Sequence, residues 1–232
     1  MATARRKDIW SDDSGAVILE MTVTITLFLV VLFGTVEGGH LFYQWNVATK
    51  ATQLGARIAA VSVPVSNRLT SMTGLDDCDG IPTPTYQPGE PITTNCFDIT
   101  CESTAVDAAT GTCNDSAADY NANAMRSIVF GRNANSIVPD TSCEPANASS
   151  ALTLGMCHVF TRITPQKVIV RYQYTGLGYA GRPGGLVPTI TVSLKDIDFD
   201  WVAMSSLVPG VGPITIPGLR TTITGEDLNQ GM

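Results

Sequence analysis

An uninterrupted apolar run near the start of the chain constrains the fold more than any other feature. Residues 16–36 read AVILEMTVTITLFLVVLFGTV and carry one charged side chain, Glu20. At about 1.5 Å per residue, a helix over this run is about 31 Å long, which matches the hydrocarbon thickness of a bilayer. The run therefore predicts a membrane-spanning helix.

The residues on either side of the run favour a lasting anchor over a cleaved secretory signal. A secretory signal has a shorter apolar core and ends in small residues of the A-x-A type. Here the run is followed by Glu37-Gly38-Gly39-His40. Arg5, Arg6 and Lys7 precede it, and such basic residues favour a cytoplasmic N-terminus with the rest of the chain outside.

Composition supports an exported or membrane-tethered protein. The 232-residue chain has a net charge of −7, only 15% charged residues and a mean hydropathy of +0.15. An acidic chain lacks the concentrated Lys and Arg that phosphate binding needs, so we expect no nucleic-acid partner. The chain is rich in Thr, Gly, Ala and Pro and has fewer charged residues than ordinary soluble domains. This composition argues against a cytosolic enzyme.

The six cysteines all lie in the middle third of the chain, within a region rich in Thr, Asp, Asn, Gly and Pro. An even number in such a context indicates disulfides formed in an oxidising compartment, and the close Cys pairs of zinc sites are absent. Short loops are the easiest to close, so the first hypothesis pairs sequence neighbours: Cys78–Cys96, Cys101–Cys113 and Cys143–Cys157.

No residue pattern indicates catalysis. The sequence contains no G-x-S-x-G, H-E-x-x-H or P-loop motif, and its two histidines, His40 and His158, are read as interfacial and disulfide-adjacent. We therefore predict no enzyme, no cofactor and no metal centre. One alternative stays open, because Asp196, Asp198 and Asp200 share a face of a strand-like segment: they either bind Ca²⁺ or form a solvated strand edge.

The junction between the polar leader and the apolar run resembles the processing site of type IV prepilins. In that family a membrane peptidase cuts after a glycine, and a glutamate stands fifth in the mature chain. Cutting after Gly15 makes Ala16 the first residue and Glu20 the fifth. The new α-amine is charged near neutral pH. Glu20 could neutralise the amine of a neighbouring subunit or that of its own chain, and the sequence does not choose between these pairings.

A second helical pattern follows the apolar run, and it narrows the resemblance. Residues 40–61 are rich in Ala, and Gly34 with Gly38 forms a small-xxx-small pair that lets helices approach closely. The Gly38-Gly39 pair predicts a hinge. Residues 34–61, with the closing run Gly-Ala-Arg-Ile-Ala-Ala at 55–60, resemble the TadE-like family of tight-adherence (Tad, or Flp) pilus systems. The longer TadG-like proteins share these motifs.

That resemblance implies a minor pseudopilin of the bacterial inner membrane that primes, caps or joins a pilus fibre and contributes to adhesion. Its partners are then a prepilin peptidase, an inner-membrane pilus platform, other pilins or pseudopilins, and the lipid bilayer. The N-terminus is cytoplasmic and the C-terminal region periplasmic, or extracellular within a fibre. The alternative is a signal-anchored adhesive or receptor-like domain that never joins a fibre.

The remaining chain predicts an α+β fold. Residues 62–115 are expected to hold little regular structure, residues 116–131 a helix capped by Ser116 and Gly131, and residues 201–207 a short helix. Strands are expected at 157–164, 167–175, 189–195 and 218–224, giving a three- or four-stranded antiparallel sheet packed on the second helix. The predicted organisation is a leader (1–15), a transmembrane helix (16–38), an amphipathic helix (39–61), a Cys-rich insertion (62–157) and a β-rich region (158–232).

Overall fold

The computed structural model begins with one unbroken helix, α1 (Asp13–Val61), of 49 residues. The structure describes residues 13–75, 78, 86–93, 95–114, 119–132, 143, 154–182, 186–199, 201–202 and 212–225. Two short helices follow α1, namely α2 (Ala122–Val129) and α3 (Met156–Val159), with 3₁₀ turns at Arg68–Thr70 and Pro165–Lys167.

The predicted hinge at Gly38-Gly39 is wrong. Both glycines lie inside α1, so the two predicted helical segments are one helix. Each glycine costs about 1 kcal/mol in a helix interior. A break would leave several backbone groups without partners beside an apolar segment, which costs more.

The strands form one five-stranded antiparallel sheet, in the order β2-β1-β3-β4-β7, and a separate two-stranded sheet of β5 and β6. The larger sheet therefore has more strands than predicted. The seven strands are β1 (Asp98–Ser103), β2 (Gly111–Cys113), β3 (Val168–Tyr174), β4 (Pro188–Leu194), β5 (Asp198–Phe199), β6 (Ile214–Thr215) and β7 (Arg220–Thr224).

Alternation along β1, β3 and β4 places one face of the sheet in the core. Every second residue of these strands is buried, and the other face carries polar side chains such as the Asp98–Arg171 ion pair. The second half of α1 contributes small residues to the core, and the Thr52 hydroxyl lies 2.9 Å from that of Thr221 on β7. The fully buried alanines of α1 are Ala48, Ala51 and Ala59.

Two local predictions are wrong. The segment expected to lack regular structure contains β1 and β2, because the alternation in DITCES buries Ile99 and Cys101 on the sheet. The segment expected to begin with a strand at 157 instead forms α3. Its first turn is closed by His158, whose Nδ1 accepts a hydrogen bond from the Gly155 amide at 3.2 Å.

The remaining helix predictions have mixed outcomes. The helix predicted at 116–131 is shorter and is capped by Asn121, whose side chain accepts a hydrogen bond from the Ala124 amide at 3.2 Å. Ser116 lies outside the described residues. Gly131 follows the helix end with φ 82°, the left-handed conformation that suits glycine there. Most of the short helix predicted at 201–207 also lies outside the described residues.

The structure joins the six cysteines as sequence neighbours: Cys78–Cys96, Cys101–Cys113 and Cys143–Cys157. Cys101 and Cys113 stand directly opposite each other on β1 and β2, so this bond pins a strand pair within the sheet. Cys96, Cys101 and Cys157 are fully buried.

The chain divides into two compact units. The first comprises residues 1–43 and 199–214, and the second comprises residues 44–198 and 215–232. The second unit holds the larger sheet, α2, α3 and the disulfides. The first holds the apolar half of α1.

Candidate functional site

The apolar half of α1 is exposed over most of its length. None of residues 15–36 is buried, and large side chains such as Ile18, Leu19 and Val31 are 65–70% exposed. An 18-residue window of this helix has a mean hydropathy of 2.5, with no residue of the window buried. By length and composition α1 can cross a membrane, and an apolar surface of this extent marks a contact with lipid or with another apolar surface.

The threonines within this segment do not weaken that assignment. The hydroxyl groups of Thr22, Thr24 and Thr26 donate to the carbonyl oxygens four residues earlier, at 2.8–2.9 Å. Because each hydroxyl finds its partner within the helix, it can enter an apolar medium without an unsatisfied donor.

The predicted processing residues lie at the first turns of α1. Gly15 and Ala16 are both exposed, and an added Cβ at Gly15 would meet no atom within 4 Å. Glu20 is also exposed, one turn after Ala16 on the same face of the helix. The leader residues Arg5, Arg6 and Lys7 lie outside the described residues.

The predicted helix-packing residues face open space. A Cβ built at Gly34 or Gly38 would meet nothing within 4 Å among the described residues. A surface of this kind on a helix allows another helix to approach closely.

Glu37, whose burial the sequence did not predict, marks the point where the covered face of α1 begins. Its side chain is only 2% exposed, although it directly follows the apolar run. Gln44, Ala48 and Ala51 continue the same buried face. The spacing of these residues by three, four and seven is the signal that could have revealed Glu37 as inward-facing. Its burial keeps a carboxylate out of contact with lipid.

The run Gly-Ala-Arg-Ile-Ala-Ala near the end of α1 is a packing motif. An added Cβ at Gly55 would lie 2.4 Å from the Sδ atom of Met156 on α3, so glycine allows a close approach that alanine permits only if the Met156 side chain shifts. Ala56 and Ala59 are 1% and 0% exposed, whereas Arg57 is exposed. The small residues thus form the buried face of the last turns of α1.

The exposed apolar helix, its terminal Gly15 and Glu20, and this small-residue face all lie within one continuous segment. Residues 15–57 match the family model described as TadE-like protein. The TadE-like segment begins at Gly15 and ends at Arg57, so the match confirms the resemblance over the residues that suggested it. Comparisons with curated proteins and with solved structures gave no match.

Outside the TadE-like segment, the described part of the chain contains two groups of side chains with the spacing of metal ligands. One contains Cys101, Cys113 and Asp119, and the other Cys143, Cys157 and His158. In both groups the two cysteines are joined in a disulfide, so neither sulfur is available as a thiolate ligand.

The acidic cluster considered for Ca²⁺ is only partly described. Asp196 has φ 54° and lies in the turn that precedes β5, so it does not continue the strand that holds Asp198. Asp198 Oδ1 accepts a hydrogen bond from the Thr215 hydroxyl at 2.9 Å. Asp200 lies outside the described residues.

Proposed function

We propose that this chain is a minor pseudopilin of a tight-adherence pilus system, processed after Gly15 and acting in pilus priming, assembly or adhesion. One observation carries the proposal. The TadE-like segment begins with an apolar helix in which none of residues 15–36 is buried, with Gly15, Ala16 and Glu20 at its start. In this function the chain is anchored in the bacterial inner membrane by one span, with its C-terminal region periplasmic.

Processing consists of hydrolysis of the peptide bond between Gly15 and Ala16. Water adds across this bond, leaving a carboxylate on Gly15 and an ammonium group on Ala16. The bond lies within α1, so a prepilin peptidase must first unwind the first turns of the helix. Gly15 favours this step, because glycine is a poor helix former and leaves the backbone open to close approach.

Assembly depends on the charge that processing creates. Glu20 lies within the apolar segment, where a carboxylate costs roughly 2.5–3.5 kcal/mol. The Ala16 ammonium of a neighbouring subunit offsets this cost when the helices pack side by side, since a paired charge costs less to bury than a lone one. The open surface at Gly34 and Gly38 gives the neighbouring helix room to approach. The other pilins and the inner-membrane platform supply that neighbour.

The first experiment determines the N-terminus of the protein recovered from its native membrane by mass spectrometry. A mature chain that begins at Ala16 supports the proposal. A chain that keeps its leader supports the alternative, a signal-anchored adhesive or receptor-like domain outside any fibre.

The second experiment separates processing from assembly. Gly15→Leu is expected to keep the leader and to abolish assembly. Glu20→Ala is expected to be cut normally but to co-purify poorly with the pilus platform, and Glu20→Gln shows whether charge or shape matters. Thr22→Ala is the matched control, because its hydroxyl bonds only within its own helix. If Glu20→Ala assembles as well as Thr22→Ala, the pairing of Glu20 with a neighbouring amine is wrong.

A further inference from the structure

A second apolar surface lies in the first unit, on the segment between β5 and β6. Residues 201–219 contain no charged side chain. Among the described residues of this stretch, Val202 is 75% exposed and Ile214 is 43% exposed. Asp198 and Asp200 precede this stretch and Arg220 follows it, and exposed apolar residues rimmed by polar ones mark a contact surface.

Aromatic contacts hold this segment against α1. The buried ring of Phe199 lies 5.7 Å from the ring of His40, in an edge-on arrangement. The ring of Trp201 lies 5.3 Å from that of Phe199, and its Nε1 donates a hydrogen bond to the Gly212 carbonyl at 2.8 Å. Trp201 and Val202 are therefore held near His40 on α1.

If α1 spans a bilayer through its apolar run, His40 lies in the polar layer at the surface of that bilayer. His40 lies four residues after Val36, the last residue of the apolar run, which is a rise of about 6 Å along the helix. The polar layer on each side of a bilayer is about 5–7 Å thick, given about 30 Å of hydrocarbon within about 40–45 Å in total. Phe42 and Tyr43, on the same part of α1, are 69% and 65% exposed, and aromatic side chains are enriched at this level.

We propose that Trp201, Val202 and Ile214 form a second contact with the membrane, in the interfacial layer of the leaflet opposite Gly15. The bilayer is the occupant because the span of α1 places it at this level, and because residues 201–219 carry no charged side chain. Trp201 suits this position, since its indole N–H is already satisfied and its ring is apolar. The inference rests on the membrane-spanning role of α1 and extends the contact beyond it.

The test uses the fluorescence of Trp201 in the full chain. Trp10→Phe and Trp45→Phe leave Trp201 as the only tryptophan, and the protein is reconstituted into vesicles of phosphatidylethanolamine and phosphatidylglycerol. Some of the lipids carry bromine either near the headgroup or near the end of the acyl chain. We expect the emission of Trp201 to fall more with the shallow bromines than with the deep ones. The control adds Trp201→Phe and Tyr179→Trp, which places a lone tryptophan at a 42% exposed site of the second unit, and its emission should not fall.

A second variant is made in the protein whose only tryptophan is Trp201. Val202→Asp should weaken the quenching by shallow bromines, whereas Val106→Asp, at a 60% exposed site of the second unit, should not. Equal quenching of Trp201 and of the control tryptophan overturns the inference. So does a lack of quenching together with a blue shift that grows with protein concentration, which identifies a second copy of the chain as the occupant. Failure of the protein to remain in carbonate-washed membranes would overturn the span itself.

Discussion

The hydroxyl group of Tyr172 accepts a hydrogen bond from the backbone amide of Val65, at a distance of 2.9 Å. Tyr172 lies in β3 and is fully buried, and Val65 lies just after the end of α1. This bond ties the exit of the long helix to the centre of the sheet. It also satisfies a backbone donor that has no access to water.

Replacing Tyr172 with Phe should therefore destabilise the second unit by about 1–3 kcal/mol, because the Val65 amide loses its acceptor. The free energy of unfolding in urea, measured on the protein in detergent, checks this expectation. Tyr179→Phe is the control, since Tyr179 is 42% exposed, and should change little. Equal stability of the two variants would show that Val65 finds another acceptor.

Because Tyr172 is buried, we expect the protein to lose stability at alkaline pH. Burial raises the pKa of Tyr172 above its ordinary value of 10.0. The folded protein then keeps a proton that the unfolded chain releases, so stability falls as the pH rises above 10.0. Urea unfolding across this pH range should show a steeper fall for the parent than for Tyr172→Phe. Parallel curves would contradict the assignment to Tyr172.

Two glycines should differ in how they tolerate alanine. A Cβ at Gly155 would lie 2.3 Å from the Gly131 nitrogen and 2.4 Å from the Val129 oxygen, and backbone atoms cannot move aside. Gly155→Ala should cost about 3 kcal/mol. Gly55→Ala meets only the flexible side chain of Met156, so it should cost about 1 kcal/mol.

Thermal unfolding of both glycine variants checks this order. Gly218→Ala is the matched control, because its Cβ would lie 3.4 Å from the Leu194 oxygen, an ordinary contact. If Gly55→Ala were the less stable variant, the Met156 side chain would be unable to move away from the added Cβ.

The second half of α1 should be required for a soluble C-terminal region. A fragment that starts at His40 keeps Ala48, Ala51 and Ala59, which are fully buried, whereas a fragment that starts at Ser62 leaves the core they cover exposed. We expect the longer fragment to elute as a single species in size-exclusion chromatography and the shorter one to aggregate. Equal behaviour would show that this half of α1 does not cover the sheet.

The disulfide between β1 and β2 should stabilise the sheet. Cys101 and Cys113 close a loop with a sequence separation of 12. Replacing both with Ser should cost roughly 3 kcal/mol by the chain-entropy model. Peptide mapping without reduction should recover the three neighbour pairs from the parent protein. A peptide linking Cys78 to Cys157 would contradict the structure.

The features that could be predicted from sequence depend on local periodicity. A long apolar run predicts the apolar half of α1, and strict alternation of apolar and polar residues predicts β3 and β4. Both patterns can be read without knowing which residues pack against them. β1 was missed because its six residues are few and contain a cysteine, and because its partner β3 lies about seventy residues further on. The burial of Glu37 is not predicted from its charge, although its spacing from Gln44 and Ala48 places it on the same face of the helix.

The pairing of Thr52 with Thr221 spans 169 residues of chain, and this separation sets an order of events during synthesis. A chain emerges from its N-terminus at a limited rate, so the small-residue face of α1 is made long before β7 exists to join the sheet. The β1–β2 hairpin is local and can be oxidised early, but the sheet is complete only after residue 224. A nascent chain therefore keeps an uncovered helix face for most of its synthesis. It is most prone to aggregate before β7 has been synthesised.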